Sequence, residues 1–361
     1  MDAFAQALER HKAGDLAAAE AGYRAALAGR PDHDDAWGNL GLVLARRDDP
    51  EAEAALRRAG ALRPDKASHA YNLGNYLYGR GRLAEADAAF AAAWAIDEAQ
   101  PGLAISYALT RLALGDFELG WALYDQRPER LRTAAWALGF PEWRGDPLEG
   151  RRLFVWVEQG FGDLILAARF LRRLPAQSIT YACRPPLVRL MSHLPVTVVP
   201  YVPPMEVAPH DYWALPMSLP RWMPGPLWDG PYLQGDGARR GRFGLAWRGN
   251  ASPDPGRSLP QHFADRLLSL PRAVSLDPEA SGAQDFQDTA DLIAGLDLVV
   301  SVDTSVAHLA GAMGKPVWLL LQARSVDWRW TQGWYPDVRV FRQPAQGDWA
   351  SVLAEVEAAL R

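Results

Sequence analysis

The first 130 residues repeat, and this repeat constrains the fold more than any other feature of the sequence. A turn position, a small residue, and a large apolar residue four places after it each recur at spacings of 33 or 34. A unit of this length is a pair of helices, and since one pair cannot bury its apolar face alone, pairs must stack. The recurring residues are Gly14, Asp48, Gly81 and Gly115 in the turn, Ala19, Ala52, Ala86 and Gly120 at the small position, and Tyr23, Leu56, Phe90 and Tyr124 at the large one. The pattern predicts an α-solenoid over residues 1–130, with three clear units and a fourth degenerate one.

Two segments of this region carry a recognisable signature. AWGNLG (36–41) and AYNLGN (70–75) resemble the first helix of tetratricopeptide repeats, in which small residues let paired helices approach closely. The resemblance implies a concave groove that holds an extended peptide or a partner protein. The alternative, that the repeats are only a scaffold, stays open.

After the repeats, residues 131–150 gather proline, glycine and tryptophan, which predicts a linker packed by Trp136 and Trp143. Short apolar runs then alternate with helical stretches, which predicts parallel sheets with helices on both faces. We expect two Rossmann-like halves, at 151–235 and 240–361, joined by a hinge within 224–242 and facing a cleft. The predicted strands are 152–157, 178–183, 196–200, 212–217, 243–247, 272–276, 296–302 and 316–321, and the predicted helices include 163–174, 186–194, 290–296, 305–313 and 348–360.

The segment LVVSVDTSVAHLAGAMGKPVWLLL (298–321) carries the clearest chemical signal. A buried strand ends at Asp303-Thr304-Ser305 and a helix starts at once, and this is where an α/β sheet binds phosphate through free N–H groups and the helix dipole. His308 lies one turn into the helix, on the side from which it can donate to a phosphate oxygen. The alternative is an ordinary helix cap beside a buried histidine.

This segment, read as Asp-Thr-x-x-Ala-His-Leu-Ala-x-Ala-x-Gly-Lys-Pro, resembles the donor-site signature of heptosyltransferase-like glycosyltransferases of family 9, which have the GT-B fold. The resemblance implies that Asp303, Thr304, Ser305, Val306 and His308 bind the diphosphate of a nucleotide-sugar, with His308 also among the catalytic residues. The family usually has glycine where this chain has Ser305.

A second segment, EQGFGDLI (158–165), lies between the first strand and the first helix after residue 150. Gly160 and Gly162 permit a tight turn. A Gly-Asp at this place supplies the catalytic base in the resembled family, which implies that role for Asp163. The alternative is that Asp163 only stabilises a helix N-terminus through the dipole.

A third segment, LAWRGNASPDPGRSLP (245–260), follows the first strand of the second half. Relatives place basic and small polar groups here, over the donor phosphates. The resemblance therefore implies phosphate contacts for Arg248 and Arg257, supported by Asn250 and Ser258, because a guanidinium suits diphosphate charge. The alternative is a pair of loop arginines that face solvent.

Two further regions bear on the donor site. Asp277 or Glu279 ends a strand where GT-B enzymes often hold the ribose by a carboxylate. The tract 327–349 is dense in tryptophan, arginine and tyrosine, and resembles the C-terminal tract of bacterial proteins that join tetratricopeptide repeats to this domain. We expect most of its aromatic residues to serve packing.

Composition excludes several classes. A net charge of -5 gives no electrostatic reason for nucleic-acid binding, and a single cysteine, Cys183, excludes an internal disulfide framework. The sole Asp-x-Asp, Asp32–Asp34, follows Pro31 and is expected to cap a helix, so we expect no metal and no cofactor. Charges at the start of the chain and the lack of a long apolar run predict a cytoplasmic protein without a transmembrane segment.

Together these features predict metal-independent, inverting transfer of a sugar from a nucleotide-sugar to an acceptor hydroxyl, with the acceptor a protein bound by the repeats. Two alternatives stay open. One is transfer to a glycan or lipid-linked acceptor, and the other is a non-catalytic nucleotide- or protein-binding scaffold.

Overall fold

A computed structural model describes residues 2–238, 241–250, 255–324 and 327–361. The chain divides into two compact units. One comprises the chain up to Arg127 and a short segment that ends at Trp328, and the other comprises the rest.

Within residues 2–127 the helices pack as four consecutive pairs. They are α1 (Ala3–Lys12), α2 (Leu16–Gly29), α3 (Asp34–Arg46), α4 (Ala52–Leu62), α5 (Ala67–Gly79), α6 (Leu83–Ile96), α7 (Leu103–Leu114) and α8 (Phe117–Tyr124). The fourth pair, which the sequence predicts to be degenerate, is formed as the other three are.

The turn inside each pair has the same backbone geometry. Gly14, Asp48, Gly81 and Gly115 have φ values of 81°, 60°, 72° and 84°, in the left-handed region that ends helices. Glycine adopts this conformation without a steric penalty, and Asp48 is the one non-glycine residue of the four.

Close packing within the pairs follows from the small residues. A Cβ added at Gly41 would lie 2.6 Å from Cγ of Leu56, and one added at Gly74 would lie 2.6 Å from the ring of Phe90. The recurring small and large residues are all buried, with Tyr23 and Phe90 fully so. The repeat read from the sequence is thus confirmed as an α-helical solenoid pattern.

The second unit begins with the linker, which contains α9 (Pro128–Leu131) and a 3-10 turn, Ala134–Ala137. The linker backbone runs beside an edge of the first sheet, since the Trp213 N–H donates to the Pro141 carbonyl at 2.9 Å and the Trp143 N–H to the Trp213 carbonyl at 2.7 Å. Trp143 is buried, whereas Trp136 is 45% exposed and contacts the Trp213 ring edge-on.

The first half of this unit is a four-stranded parallel sheet in the order β3-β2-β1-β4. Its elements are β1 (Arg152–Val155), α10 (Phe161–Leu171), β2 (Ser178–Cys183), α11 (Val188–Met191), β3 (Thr197–Pro200), β4 (Tyr212–Ala214) and α12 (Leu219–Trp222). The helix predicted at 186–194 is shorter, because prolines at 185 and 186 start a 3-10 turn and leave α11 one turn long.

The second half is a five-stranded parallel sheet in the order β6-β5-β7-β8-β9. Its elements are β5 (Gly241–Ala246), α13 (Gln261–Leu268), β6 (Ala273–Ser275), α14 (Pro278–Ser281), α15 (Phe286–Ala294), β7 (Leu296–Val302), α16 (Ser305–Ala312), β8 (Val317–Leu321), β9 (Val338–Arg342) and α17 (Trp349–Leu360). Apolar residues of β5, β7, α13 and α17 form its core. Strand β9 lies inside the aromatic tract, where no strand is predicted from the sequence. The predicted hinge includes residues 239–240, which lie outside the described residues.

These two sheets confirm an α/β, GT-B type architecture of two Rossmann-like halves after the helical repeats. In each half the strand order reverses beside the first strand, between β1 and β4 and between β5 and β7. Ligands of open α/β sheets bind at such switch points, at the carboxyl ends of the strands. The loops that follow β1, β5 and β7 are therefore the expected positions of a ligand-binding site.

Candidate active site

The loops at the two switch points meet. Helix α10 starts after β1 and helix α16 after β7, and the two helices pack against each other. A Cβ added at Gly162 would lie 2.7 Å from Cδ2 of His308, so glycine at this position allows the close approach. The glycine loop of Gly160 and Gly162 and the turn that starts at Asp303 therefore form one region.

The start of α16 has no cap from its own N-cap residue. Thr304 occupies the N-cap position in extended conformation, and its side chain makes no capping hydrogen bond. Residues 303–306, which include Ser305 and Val306, are half-buried. An uncapped N-terminus keeps its first amide groups and positive dipole end available to an anion.

Asp303 is held in place at this turn. Its Oδ1 accepts a hydrogen bond from Nε1 of Trp330 at 3.0 Å. Because this contact comes from the aromatic tract, at least one tryptophan of that tract serves the turn as well as packing.

His308 does not face solvent. It is 4% exposed, its ring stacks on Trp330 at 4.5 Å between centroids, and Nδ1 lies 2.9 Å from the hydroxyl of Tyr335. Burial and the positive charges of Arg329 and Arg169 lower the pKa of His308 well below 6.5. The ring is therefore neutral at pH 7 and supplies no positive charge to a leaving group. It can act there only through a hydrogen bond.

Asp163 sits in the first turn of α10. Its Oδ2 accepts a hydrogen bond from the Gly160 N–H at 3.3 Å, and Nη2 of Arg329 donates to its Oδ1. The side chains of Asp163 and Arg329 are 16% and 14% exposed. The carboxylate thus stabilises the N-terminus of α10, as the alternative interpretation from the sequence has it. It also has a charged partner, Arg329, at the switch point.

Two further residues contribute to this region and are not predicted from the sequence. Arg329 comes from the loop after β8, and only the unusual density of tryptophan and arginine in the tract 327–349 signals it. Glu158 follows β1 and is 6% exposed, and it accepts a hydrogen bond from the Met217 N–H at 2.8 Å across the β1–β4 switch point.

Three of the predicted donor residues come together after β5 and β6. Nη1 of Arg248 lies 3.3 Å from Asp277 and 3.4 Å from Glu279. Asp277 caps α14, and its Oδ1 accepts from the Glu279 N–H at 3.1 Å. The Arg248 side chain is 52% exposed, so the guanidinium is accessible although it has carboxylate partners.

The other predicted residues of this loop hold the loop itself. Nε of Arg257 donates to the Asn250 carbonyl at 2.9 Å, and Oγ of Ser258 accepts from the Gly249 N–H at 2.9 Å. Residues 251–254 of the predicted phosphate loop lie outside the described residues.

A cavity of about 520 Å³ also lies in this unit. It is lined by residues at or beyond the carboxyl ends of α10 and α16, such as Arg172, Met313 and Lys315, and by the crossover segment at 231–235. The amide groups and polar side chains of the candidate site converge at the switch points and not at this cavity.

Among the described residues, one group of side chains of the types that can bind a metal ion occurs, and it lies in the helical unit. Single atoms of Asp34, Asp35 and His69 lie within 4.8 Å of one another. Nζ of Lys66 contacts the two carboxylates at 3.2 and 2.5 Å, so an ammonium group already lies where a cation would bind. Asp34 is the first residue of α3 and pairs with these neighbours instead of capping the helix, whose N-cap is His33.

Among the described residues, no helix has both the length and the apolar character needed to cross a membrane.

Comparisons with known proteins agree with the resemblance to family 9 glycosyltransferases and to tetratricopeptide repeats that the sequence shows. Residues 273–342 match the family model "Glycosyltransferase family 9 (heptosyltransferase)". Protein FlbA of Caulobacter vibrioides is 28% identical over 423 aligned positions, which cover 94% of this chain and 69% of that protein.

Solved structures match more weakly. An O-GlcNAc transferase mutant of Thermobaculum terrenum is 17% identical with a TM-score of 0.36, over 98% of this chain and 88% of that one. PilW, a type IV pilus biogenesis factor, is 26% identical with a TM-score of 0.32, over 34% of this chain and 58% of that one. Agreement at this level assigns neither fold nor function. The chain therefore joins helical repeats that resemble tetratricopeptide repeats to an α/β unit in which residues 273–342 match the family 9 glycosyltransferase model.

Proposed function

We propose that the α/β unit transfers a glycosyl group from a nucleoside-diphosphate sugar to an acceptor hydroxyl with inversion and without a metal. The observation that carries this proposal is the meeting of the two switch-point loops at Gly162 and His308. It brings an uncapped helix N-terminus and a carboxylate, Asp163, into one region.

Each group then has a chemical task. The turn at Asp303, Thr304, Ser305 and Val306 binds the diphosphate through amide groups and the dipole of α16. Asp163 accepts the proton of the acceptor hydroxyl as that oxygen attacks the anomeric carbon. The bond from the anomeric carbon to the phosphate oxygen breaks, and the nucleoside diphosphate leaves with the bonding electron pair, stabilised by the same fixed dipoles.

A substitution at the helix start tests the diphosphate site. Ser305→Asp places a carboxylate at the first helical position, where it favours the helix electrostatically and repels a diphosphate. Nucleoside diphosphates should raise the melting temperature of the wild-type protein, since a ligand at a hundredfold excess over its dissociation constant stabilises by about 2.7 kcal/mol. The variant should fold and show no such shift. Equal shifts in both proteins would refute the site.

A second substitution tests catalysis separately from binding. Asp163→Ala should bind nucleoside diphosphates at least as tightly as the wild type and lose sugar transfer by at least about a hundredfold, the usual contribution of a general base. Unchanged turnover would remove Asp163 from the mechanism. If the wild-type protein binds nucleoside diphosphates but neither transfers the sugar nor hydrolyses the sugar-nucleotide, the result would favour a non-catalytic scaffold.

We propose a protein acceptor held by the helical repeats, because stacked helix pairs present an extended binding surface. Radiolabelled sugar transfer to purified proteins and to glycan or lipid-linked acceptors decides between the alternatives. If the full chain labels a glycan or lipid-linked acceptor and labels no protein, the proposal of a protein acceptor is wrong.

A further inference from the structure

Arg329 and the residue after it contact both switch-point loops at once. The guanidinium of Arg329 pairs with Asp163 on α10. The indole of Trp330 donates to Asp303 at 3.0 Å and stacks on His308 of α16. The loop after β8 therefore places a cation, Arg329, on the proposed base and the next residue, Trp330, on the proposed diphosphate turn.

In this arrangement Asp163 is not ready to act as a base. One carboxylate oxygen accepts from the Gly160 N–H, and the other accepts from Arg329. The pair is largely shielded from water, with 16% and 14% of the two side chains exposed. To accept a proton from a substrate hydroxyl, the carboxylate must release the guanidinium or share it.

A diphosphate supplies the alternative partner. Bound at the uncapped start of α16, it would bring several charged oxygens beside Arg329, and a guanidinium binds phosphate through paired N–H donors. The neighbouring His308 is neutral, and Arg248 already has Asp277 and Glu279 beside it. Arg329 is the cation paired with the proposed base itself, and it can take up diphosphate charge if it exchanges that partner.

We propose that Arg329 exchanges partners: it pairs with Asp163 while the donor site is empty and donates to the donor diphosphate once the donor binds, which frees Asp163 to accept the hydroxyl proton. The inference rests on the proposed function. In this exchange Arg329 both binds the donor and determines when Asp163 can act as a base, so that Asp163 becomes available only after the donor has bound.

The competition between carboxylate and diphosphate can be measured as a double-mutant cycle. Isothermal titration of inorganic pyrophosphate, and of uridine, guanosine and adenosine diphosphates, compares wild type, Asp163→Asn, Arg329→Ala and the double variant. Asp163→Asn removes the competing charge and should tighten binding by about fivefold or more, while Arg329→Ala should weaken it by about tenfold or more. In the double variant the gain from Asp163→Asn should vanish, since the two residues act through one contact.

Circular dichroism and thermal unfolding establish that each variant is folded. If Arg329→Ala does not fold, Arg329→Lys replaces it in the cycle, because it keeps the charge without the paired donors, and the gain from Asp163→Asn should then shrink. An Asp163→Asn affinity equal to that of wild type, or a gain of the same size with and without Arg329, would overturn the exchange. If Ser305→Asp still abolishes binding in that case, the proposed function stands. If no diphosphate binds the wild type, the proposed function itself has failed.

Discussion

At the scale of single residues, three carboxylates of the described residues are held by fixed partners. Asp163 is held by Arg329 and Gly160, Asp303 by Trp330, and Asp34 by Lys66 and His69. Partnered, partly buried carboxylates tie stability to pH, because the partner is present only in the folded protein.

Asp34 gives a pH-dependent prediction. Burial raises the pKa of its carboxyl, but hydrogen bonds from His69 and Lys66 outweigh this and lower it to about 2, from 3.8. A pKa lowered by folding means that the contribution is present above pH 4 and is lost as the pH falls toward 2. Asp34→Asn should therefore reduce the free energy of unfolding by about 2 kcal/mol at pH 7.

Urea unfolding followed by circular dichroism from pH 7 to pH 2 measures this effect. The difference between wild type and Asp34→Asn should narrow continuously below pH 4. Asp32→Asn, two residues earlier and exposed, is the control and should stay close to wild type. A gap between Asp34→Asn and wild type that is independent of pH would contradict the assigned pKa.

At the scale of elements, close packing within the helix pairs depends on glycines at the points where the two helices touch. A Cβ at Gly74 would lie 2.6 Å from Phe90, whereas a Cβ at Gly60 of α4 meets nothing within 4 Å. Both glycines lie inside helices, so the same substitution separates crowding between helices from intrinsic helix propensity.

Gly74→Ala should lower the free energy of unfolding by about 1–3 kcal/mol through overpacking. Gly60→Ala should raise it by about 0.5–1 kcal/mol, since alanine favours helix. Chemical denaturation of the three proteins checks both signs. Stabilisation by Gly74→Ala would mean that the α5–α6 pair is looser than the structure shows.

How far these elements can be predicted from sequence depends on whether their signal is local. The repeats are predictable because four units place the same residue types at the same positions, and most strands because they are short apolar runs. Strand β9 is not predicted, because VRVFR alternates arginine with apolar residues and lies in a tract rich in tryptophan. The switch-point loops are predictable as neighbours from strand order rules, but Arg329 is not. Its partner Asp163 is 166 residues away, and only tertiary packing brings them together.

At the scale of the α/β unit, one buried arginine joins three separate segments. Arg169 of α10 is 2% exposed; it donates to the Leu227 carbonyl, to the Trp334 carbonyl at 2.7 Å and to the Tyr232 hydroxyl at 3.1 Å. These partners lie in the crossover between the halves and in the loop after β8. The relative placement of the two halves therefore depends on this side chain.

Arg169→Leu should cost about 3–5 kcal/mol of stability, because it leaves buried hydrogen-bonding groups without their charged partner. Arg173→Leu is the matched control: Arg173 is half-exposed and reaches the Pro226 carbonyl at 3.4 Å, so we expect a loss below about 1 kcal/mol. Urea denaturation gives both values, and limited proteolysis within 224–238 should become faster only in Arg169→Leu. Equal losses in the two variants would contradict the joining role.

The position of β9 at the end of its sheet has a consequence for association. An outer strand offers hydrogen-bonding groups to any similar strand of another molecule, which invites aggregation. Arg339 and Arg342 are exposed on β9. A second copy laid against this strand would bring like guanidinium charges together, so low ionic strength should keep the molecules apart and concentrated salt should weaken that protection.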